Sequence, residues 1–114
     1  MVEKQTAVED AGPIPEPYSI PPDVLQGWLS TDPDQYIAVL LRRADLDKLF
    51  NVMYHTLNAT ANSTDAFLRF SQGDLENANR RIDHFRLDTA TAMNELKKLF
   101  HAIMVQSRQV PNGK

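Results

Sequence analysis

Cysteine is absent from this chain of 114 residues, so disulfide bonds, thiolate metal sites and a cysteine nucleophile are excluded. No apolar run approaches the roughly 20 residues that span a bilayer. Residues 1–10 also contain no hydrophobic stretch of the kind that a secretory signal needs. We therefore expect a cytoplasmic protein without a membrane span.

The chain also lacks the groups that catalysis, metal binding and nucleic-acid binding require. Lys and Arg number 12 against 15 Asp and Glu, for a formal net charge of −3, so the basic excess that neutralises phosphate is missing. Gly73 is the one glycine between Pro33 and Pro111, which excludes a glycine-rich phosphate loop there. Of the three histidines, His84 alone has a carboxylate, Asp88, four residues on, and no second such pair is placed to meet it. We expect no enzyme activity, no metal and no cofactor.

Proline is confined to the two ends of the sequence: six of the seven prolines lie in the first 33 residues. Because proline breaks helices and is excluded from central strands, the proline-free interior is typical of a helical chain. The N-terminal segment is acidic and has too few apolar residues to fold alone. We predict an extended proline-rich acidic arm over 1–20, a short amphipathic helix over 21–30, a helical body over 33–108 and a flexible tail over 109–114.

Two helix starts are marked by proline. Pro22 is followed by Asp23, and a proline at the first helical position with an acidic residue in the first turn is typical of a helix N-terminus. Asp32 followed by Pro33 carries the same signal, with Asp32 as the N-cap. We therefore predict that the body becomes helical at about residue 34.

A heptad pattern runs through the body and slips once. Apolar or small side chains recur at alternating steps of three and four residues, the pattern that buries one stripe of a helix against another. The step from Ser71 to Leu75 is four residues where three are due. The predicted self-association seam comprises Leu46, Phe50, Met53, Leu57, Phe67, Leu75, Ile82, Phe85, Leu96, Leu99 and Ile103.

The slip favours a turn at Gly73. A glycine there adopts the left-handed conformation that ends a helix, and Asp74 caps the next helix. The sequence then predicts an all-α helical hairpin with helices over about 34–71 and 75–108, in which facing positions add up to about 146. Large side chains would mostly meet small ones. The predicted layers pair Leu46 with Leu99, Phe50 with Leu96, Met53 with Ala92, Leu57 with Thr89, Thr60 with Phe85 and Phe67 with Ala78.

Two other structures stay open from the pattern alone. In the first, Gly73 is a stutter in one continuous coiled-coil helix, since an extra four residues unwind a coiled coil locally without breaking it. In the second, which ranks third, the turn lies at residues 58–64, which are rich in cap-forming side chains. The heptad phase runs through 58–64 unbroken, and a turn there leaves arms of unequal length.

The apolar side chains outnumber what one hairpin buries, because residues such as Leu49, Phe70, Met93 and Phe100 lie outside the seam. Two hairpins are therefore expected to associate into a four-helix bundle or coiled coil, with a homodimer favoured. We expect a non-enzymatic protein–protein interaction or assembly subunit of a larger complex. The alternatives are a small regulatory protein that binds and inhibits or protects an enzyme, and a structural component of a virion or secretion apparatus.

The N-terminal third supplies the predicted contacts to a protein partner. Extended chain rich in proline loses little entropy on binding, and tryptophan is a frequent anchor in partner pockets. The predicted docking residues are Ile14, Tyr18, Ile20, Leu25, Trp28 and Leu29. A basic patch of Arg80, Arg81 and Arg86 is a candidate site for an acidic partner, including the chain's own acidic arm.

Overall fold

The computed structural model describes residues 7–109, with residues 108 and 109 described by their backbone alone. Its elements are α1 (Pro22–Leu29), β1 (Ile37–Ala38), α2 (Arg43–Ser71), α3 (Leu75–Gln106) and β2 (Arg108–Gln109). The long helices α2 and α3 pack along each other, and the molecule measures 73 × 25 × 23 Å. The predicted all-α helical hairpin with a short N-terminal helix is confirmed. The first six residues of the predicted arm, and residues 110–114 of the predicted tail, lie outside the described residues.

The helix α2 begins at Arg43, so the predicted start near residue 34 is wrong. The backbone N–H of Asp34 donates to Asp32 Oδ1 at 3.0 Å, and the N–H of Gln35 donates to the Asp32 carbonyl at 2.9 Å. Asp32 therefore caps a tight turn instead of a helix. The strands β1 and β2 then pair antiparallel, which keeps the chain extended before α2 and ends α3 at Gln106.

The N-terminus of α2 is held by Asp45. Its carboxylate is buried and accepts the Arg42 backbone N–H at 3.0 Å, closing the first turn of the helix. This hydrogen bond holds the pKa of Asp45 below its ordinary value of 3.8. The N-terminus of α2 is thus stabilised by the buried Asp45 in its first turn, and the predicted N-cap Asp32 lies outside the helix.

Gly73 forms the turn between the long helices, as predicted, with φ at 80°. Its N–H donates to the Phe70 carbonyl at 3.0 Å, and the N–H of Asp74 donates to the Arg69 carbonyl at 2.9 Å. This pair of bonds is the Schellman motif, which satisfies the last carbonyls of a helix. Asp74 then caps α3 by accepting the Asn77 N–H, and Asn77 lowers the pKa of Asp74.

The two alternative structures are therefore wrong. A continuous helix is excluded because the chain reverses at Gly73. A turn at residues 58–64 is excluded because those residues lie inside the uninterrupted helix α2. Asp65 of α2 and Arg81 of α3 are in contact, so the hairpin has the predicted register, in which facing positions add up to about 146.

The face of α2 that packs on α3 differs from the predicted one. The buried residues of α2 recur every seven positions and are mostly small or polar: Asp45, Val52, Ala59 and Ala66. On α3 the residues buried at the helix pair are Ala78, Ala92 and Leu99. The six predicted layers are wrong on the α2 side, since Leu46, Phe50, Met53, Leu57, Thr60 and Phe67 are all exposed.

Candidate interaction surfaces

A polar cluster joins α2 to α3 along the seam. Asp88 of α3 lies 3.0 Å from His55 Nδ1 and accepts the Asn62 side-chain amide at 3.1 Å. Arg81 donates to Asn62 Oδ1 at 2.9 Å, and its Nε lies 2.7 Å from an Asp65 carboxylate oxygen. These five side chains fix the register of the hairpin through directional contacts. They bury little apolar surface, so the hydrophobic effect contributes little along this stretch.

The large apolar side chains of α2 face away from α3. The exposed fraction reaches 68% for Leu57 and 74% for Phe67. Such exposure is unusual for aromatic and leucine side chains that follow a regular heptad spacing. The stripe consists of Leu46, Phe50, Met53, Leu57 and Phe67, which are the predicted seam residues of α2.

The exposed apolar residues of α3 lie on the same side of the hairpin. Met53 follows the buried Val52, and Met93 follows the buried Ala92. One step along a right-handed helix turns the side chain by 100°, and in antiparallel helices that step leads to the same side of the pair. We call the combined exposed surface the apolar face; it comprises Leu46, Phe50, Met53, Leu57 and Phe67 of α2 with Leu75, Phe85, Met93 and Phe100 of α3. Phe50 and Leu57 lie two residues before the buried Val52 and Ala59, about 160° around the helix, so this surface continues onto the side of α2 opposite α3.

A shallow groove runs between the helices on this side. It has a volume of about 150 Å³, and its lining includes the small residues Thr56, Ala59, Thr89 and Ala92. Small side chains leave space between two ridges of larger ones, as a surface requires if another helix is to interdigitate with it. The remaining predicted seam residues of α3 lie deeper in the hairpin: Leu99 is buried, and Ile82, Leu96 and Ile103 are half-buried.

The N-terminal arm is not free, because it lies along α3. Val8 is 7% exposed; its N–H donates to Asn77 Oδ1 at 3.0 Å, and its carbonyl accepts Arg80 at 3.3 Å. The carbonyl of Glu9 lies 2.6 Å from His84 Nε2. From Val8 onward, the arm therefore runs from the N-terminal end of α3 in the same direction as that helix.

Asn94 holds the middle of the arm and is the largest departure from the sequence-based picture. Asn94 is 9% exposed, and its side chain forms hydrogen bonds with two backbone groups of the arm. It donates to the Glu16 carbonyl at 2.8 Å and accepts the Tyr18 N–H at 2.8 Å. The residue between them, Pro17, has no N–H to satisfy. The signal in the sequence is a polar residue on α3 that lies one helical turn from Ala90 and two turns from Leu87.

The predicted docking residues of the arm and α1 fall into two groups. Tyr18 is half-buried on α3, where its hydroxyl contacts His101 Nδ1 at 2.5 Å and Lys98 Nζ lies 5.9 Å from its ring centre. Ile14 and Leu29 stay exposed, at 49% and 66%. Ile20 and Trp28 are half-buried and Leu25 is exposed, so α1 offers Leu25 and Leu29 to a partner.

The predicted basic patch is divided by the structure. Arg80 forms an ion pair with Asp10 of the arm at 3.0 Å, so the acidic arm of the chain itself takes up this position. Arg81 turns to the opposite side and joins the polar cluster with α2. Arg86 lines a groove between α3 and the arm, beside Ile14. The three arginines therefore do not form one surface.

Among residues 7–109, no helix is long and apolar enough to cross a membrane. In the same part of the chain, no group of three or more histidine and acidic side chains is arranged to hold a metal ion. The surfaces that stand out are thus the apolar face, the arm bound to α3 and the exposed side of α1. Comparison with protein-family models, with curated proteins and with solved structures gave no match to this chain.

Proposed function

We propose that this chain is a non-enzymatic helical assembly subunit that self-associates through the apolar face. The observation that carries the proposal is the placement of the apolar side chains. The hairpin closes on small and polar residues, while leucine, methionine and phenylalanine side chains of both helices remain exposed on the apolar face.

The size of the apolar face supports a stable association. Its nine side chains have exposed fractions between 37% and 74%. Taking about 200 Å² for one large side chain, they present on the order of 900 Å² of apolar surface. The largest apolar patch of a typical monomer is about 300–600 Å², whereas each partner of a stable complex buries about 800 Å².

A second copy of the chain is the occupant we favour. Two hairpins that cover each other's apolar face form a four-helix bundle, the arrangement in which antiparallel helices bury such stripes. A closed twofold pair also leaves no apolar face open to further copies. In this proposal the exposed leucines of α1, Leu25 and Leu29, remain outside the bundle and are available to a larger protein partner.

The alternative in which the arm inhibits an enzyme has less support. Backbone groups of the arm are hydrogen-bonded to Asn77, Arg80, His84 and Asn94 of α3. The arm must therefore leave α3 before it can bind an enzyme. The observed contacts favour a structural arm that covers one side of α3.

Light scattering in line with size-exclusion chromatography tests the proposal on the full chain. We expect a dimer, and we expect Leu57→Asp to weaken the association about 100-fold, because a carboxylate is then buried without a partner at the centre of the interface. Leu40→Asp is the matched control: Leu40 is 85% exposed in the loop before α2 and lies outside the apolar face. A wild-type chain that stays monomeric at about 100 micromolar contradicts the proposal. An equal effect of Leu57→Asp and Leu40→Asp on the association also contradicts it.

A further inference from the structure

A groove between α3 and the N-terminal arm is a further open apolar surface, and it is built within one chain. Its volume of about 440 Å³ lies in the range of ligand-binding clefts. We call it the arm groove; its apolar lining consists of Ile14, Pro15 and Pro17 on the arm and Phe85, Ala90 and Met93 on α3. No acidic side chain of the described residues lines it. The arm groove borders the apolar face at Phe85 and Met93, but it is complete without a second copy and does not depend on the proposed self-association.

The arm side of the groove is held in place by Asn94. Its side chain forms hydrogen bonds of 2.8 Å with the Glu16 carbonyl and the Tyr18 N–H, on either side of Pro17. Pro15 and Pro17 carry no backbone N–H, so they present apolar ring surface without a donor that needs water. Because this side of the groove is already ordered, a ligand that binds there loses little affinity to the ordering of the chain.

Two cations without an ion pair line the arm groove, Arg86 and Lys97. The other three cations of α3 each have a carboxylate within 3.8 Å: Arg80, Arg81 and Lys98. Among the described residues, neither Arg86 nor Lys97 has such a partner. In a chain with a formal net charge of −3, the arm groove is therefore a local positive site with an apolar lining.

The spacing of the two cations matches an α-helical ligand. Arg86 and Lys97 are eleven residues apart on α3, which places them about 16.5 Å apart along the helix axis and about 20° apart around it. Ala90 and Met93 lie between them on the same stripe. A partner helix laid along the groove meets both cations if it carries two carboxylates eleven residues apart, with apolar side chains between them. A fatty acid, with its single carboxylate, pairs with one cation and leaves the other unpaired.

We propose that the arm groove binds an amphipathic acidic helix of a protein partner, with two carboxylates three helical turns apart and apolar side chains between them. Recognition of a helix in a groove uses apolar anchors along one helix face, and the flanking charges fix the register. None of the helices α1, α2 and α3 contains two acidic residues eleven apart, so the described part of this chain offers no such helix to a second copy. The occupant is therefore a different protein.

Fluorescence anisotropy with two synthetic peptides tests the proposal on the full chain. The first peptide is an alanine-rich helix of about 20 residues, with two glutamates eleven residues apart and leucines four and seven residues after the first glutamate. The second peptide has the same composition, but its second glutamate is moved back by two residues, which turns that side chain about 160° around the helix. We expect the first peptide to bind about tenfold more tightly than the second.

Charge reversal on α3 tests the role of the two cations. Arg86→Glu and Lys97→Glu are each expected to weaken binding of the first peptide about tenfold, because a carboxylate then faces a carboxylate. Arg43→Glu is the matched control: it makes the same change of charge at an exposed position of α2 outside the arm groove and is expected to leave the affinity unchanged. A peptide with lysine in place of one glutamate is expected to bind one of the two α3 variants more tightly than it binds the wild-type chain.

Asn94→Ala tests the arm side of the groove separately, because it releases the arm and leaves both cations in place. We expect this variant to bind the first peptide about tenfold more weakly than the wild-type chain. Equal affinities for the two peptides overturn the proposal, and so does an Asn94→Ala chain that binds as tightly as the wild type. Binding to phosphatidylglycerol vesicles that depends on Arg86 and Lys97, without binding of the first peptide, overturns it in favour of a lipid site.

Discussion

The two sides of α2 differ in a way that reverses the usual distribution of polar and apolar residues. Towards α3 the helix presents Val52, Ala59 and Ala66 among ion pairs, and on the other side it presents exposed phenylalanine, leucine and methionine. A hairpin that gains little hydrophobic stabilisation along its own seam depends on directional contacts for its register. In the proposed dimer, we expect the main hydrophobic stabilisation to come from covering the apolar face.

Because the two sides of α2 differ, we expect the register of the hairpin and the strength of association between chains to depend on different residues. The polar cluster between α2 and α3 sets which positions face each other within one chain. In the proposed dimer, the apolar face sets how strongly one chain binds another. Substitutions on the two sides of α2 should therefore change different measured quantities: stability at fixed oligomeric state on one side, and the association constant on the other.

The largest effect on folding is expected from Asp88→Ala in the polar cluster. His55 and Asn62 lose their common acceptor, and partly buried polar groups without partners destabilise a fold. We expect the free energy of unfolding to fall by about 2–3 kcal/mol in urea titration, with the oligomeric state at high concentration unchanged.

The matched control for Asp88→Ala is Asp47→Ala, an exposed carboxylate of α2 outside the polar cluster and the apolar face, whose loss is expected to change the free energy of unfolding by less than about 0.5 kcal/mol. If Asp88→Ala dissociates the dimer while leaving the unfolding of each chain unaffected, the division of labour between the two sides of α2 is wrong.

Sequence analysis predicted the hairpin because its decisive signals are local. Gly73 followed by Asp74 marks the turn through backbone conformation and capping, and these depend on a few neighbouring residues. The start of α2 was not predicted, because Asp32 and Pro33 fit a tight turn as well as a helix. The pairing of β1 with the distant β2 decided between the two.

The face of α2 was predicted wrongly for a different reason. The heptad pattern of large apolar residues was read as the seam of the hairpin, but the same helix carries a second seven-residue pattern at Asp45, Val52, Ala59 and Ala66. Periodicity identifies the stripes of a helix and does not say which partner each stripe contacts. The sequence also predicts an extended arm but not its binding to Asn94. That binding depends on two hydrogen bonds between residues that lie 76 and 78 positions apart in the sequence.

A smaller effect is expected at the turn that holds the seam together. Gly73 has φ at 80°, and no atom within 4 Å would meet an added Cβ, so backbone strain alone acts in Gly73→Ala. We expect a loss of about 1–2 kcal/mol in the free energy of unfolding. Gly27→Ala in α1 is the opposite control: its backbone is helical and its surroundings are open, so alanine is expected to stabilise that helix by about 0.5–1 kcal/mol.

The expected changes in stability have opposite signs: Gly73→Ala destabilises the protein and Gly27→Ala stabilises it. If position 73 instead lay within one continuous helix in the assembled protein, Gly73→Ala would stabilise it, as Gly27→Ala stabilises α1. Thermal unfolding followed by circular dichroism measures both variants under the same conditions. A rise in the midpoint for Gly73→Ala contradicts the hairpin.

The smallest effect on global stability is expected from Asn94→Ala, which tests the third surface of the molecule, the arm bound to α3. The Glu16 carbonyl and the Tyr18 N–H lose their partner, but both regain hydrogen bonds to water once the arm lifts away. We expect hydrogen exchange at Tyr18 to accelerate about tenfold, while unfolding of the hairpin changes little. Asn79→Ala, an exposed asparagine of α3, is the control and is expected to change neither quantity. The arm borders the apolar face at a groove lined by Ile14, Phe85 and Met93, but Phe85 and Met93 stay exposed beside it, so the dimer should persist in Asn94→Ala. Dissociation of that variant would instead show that the arm is part of the interface between copies.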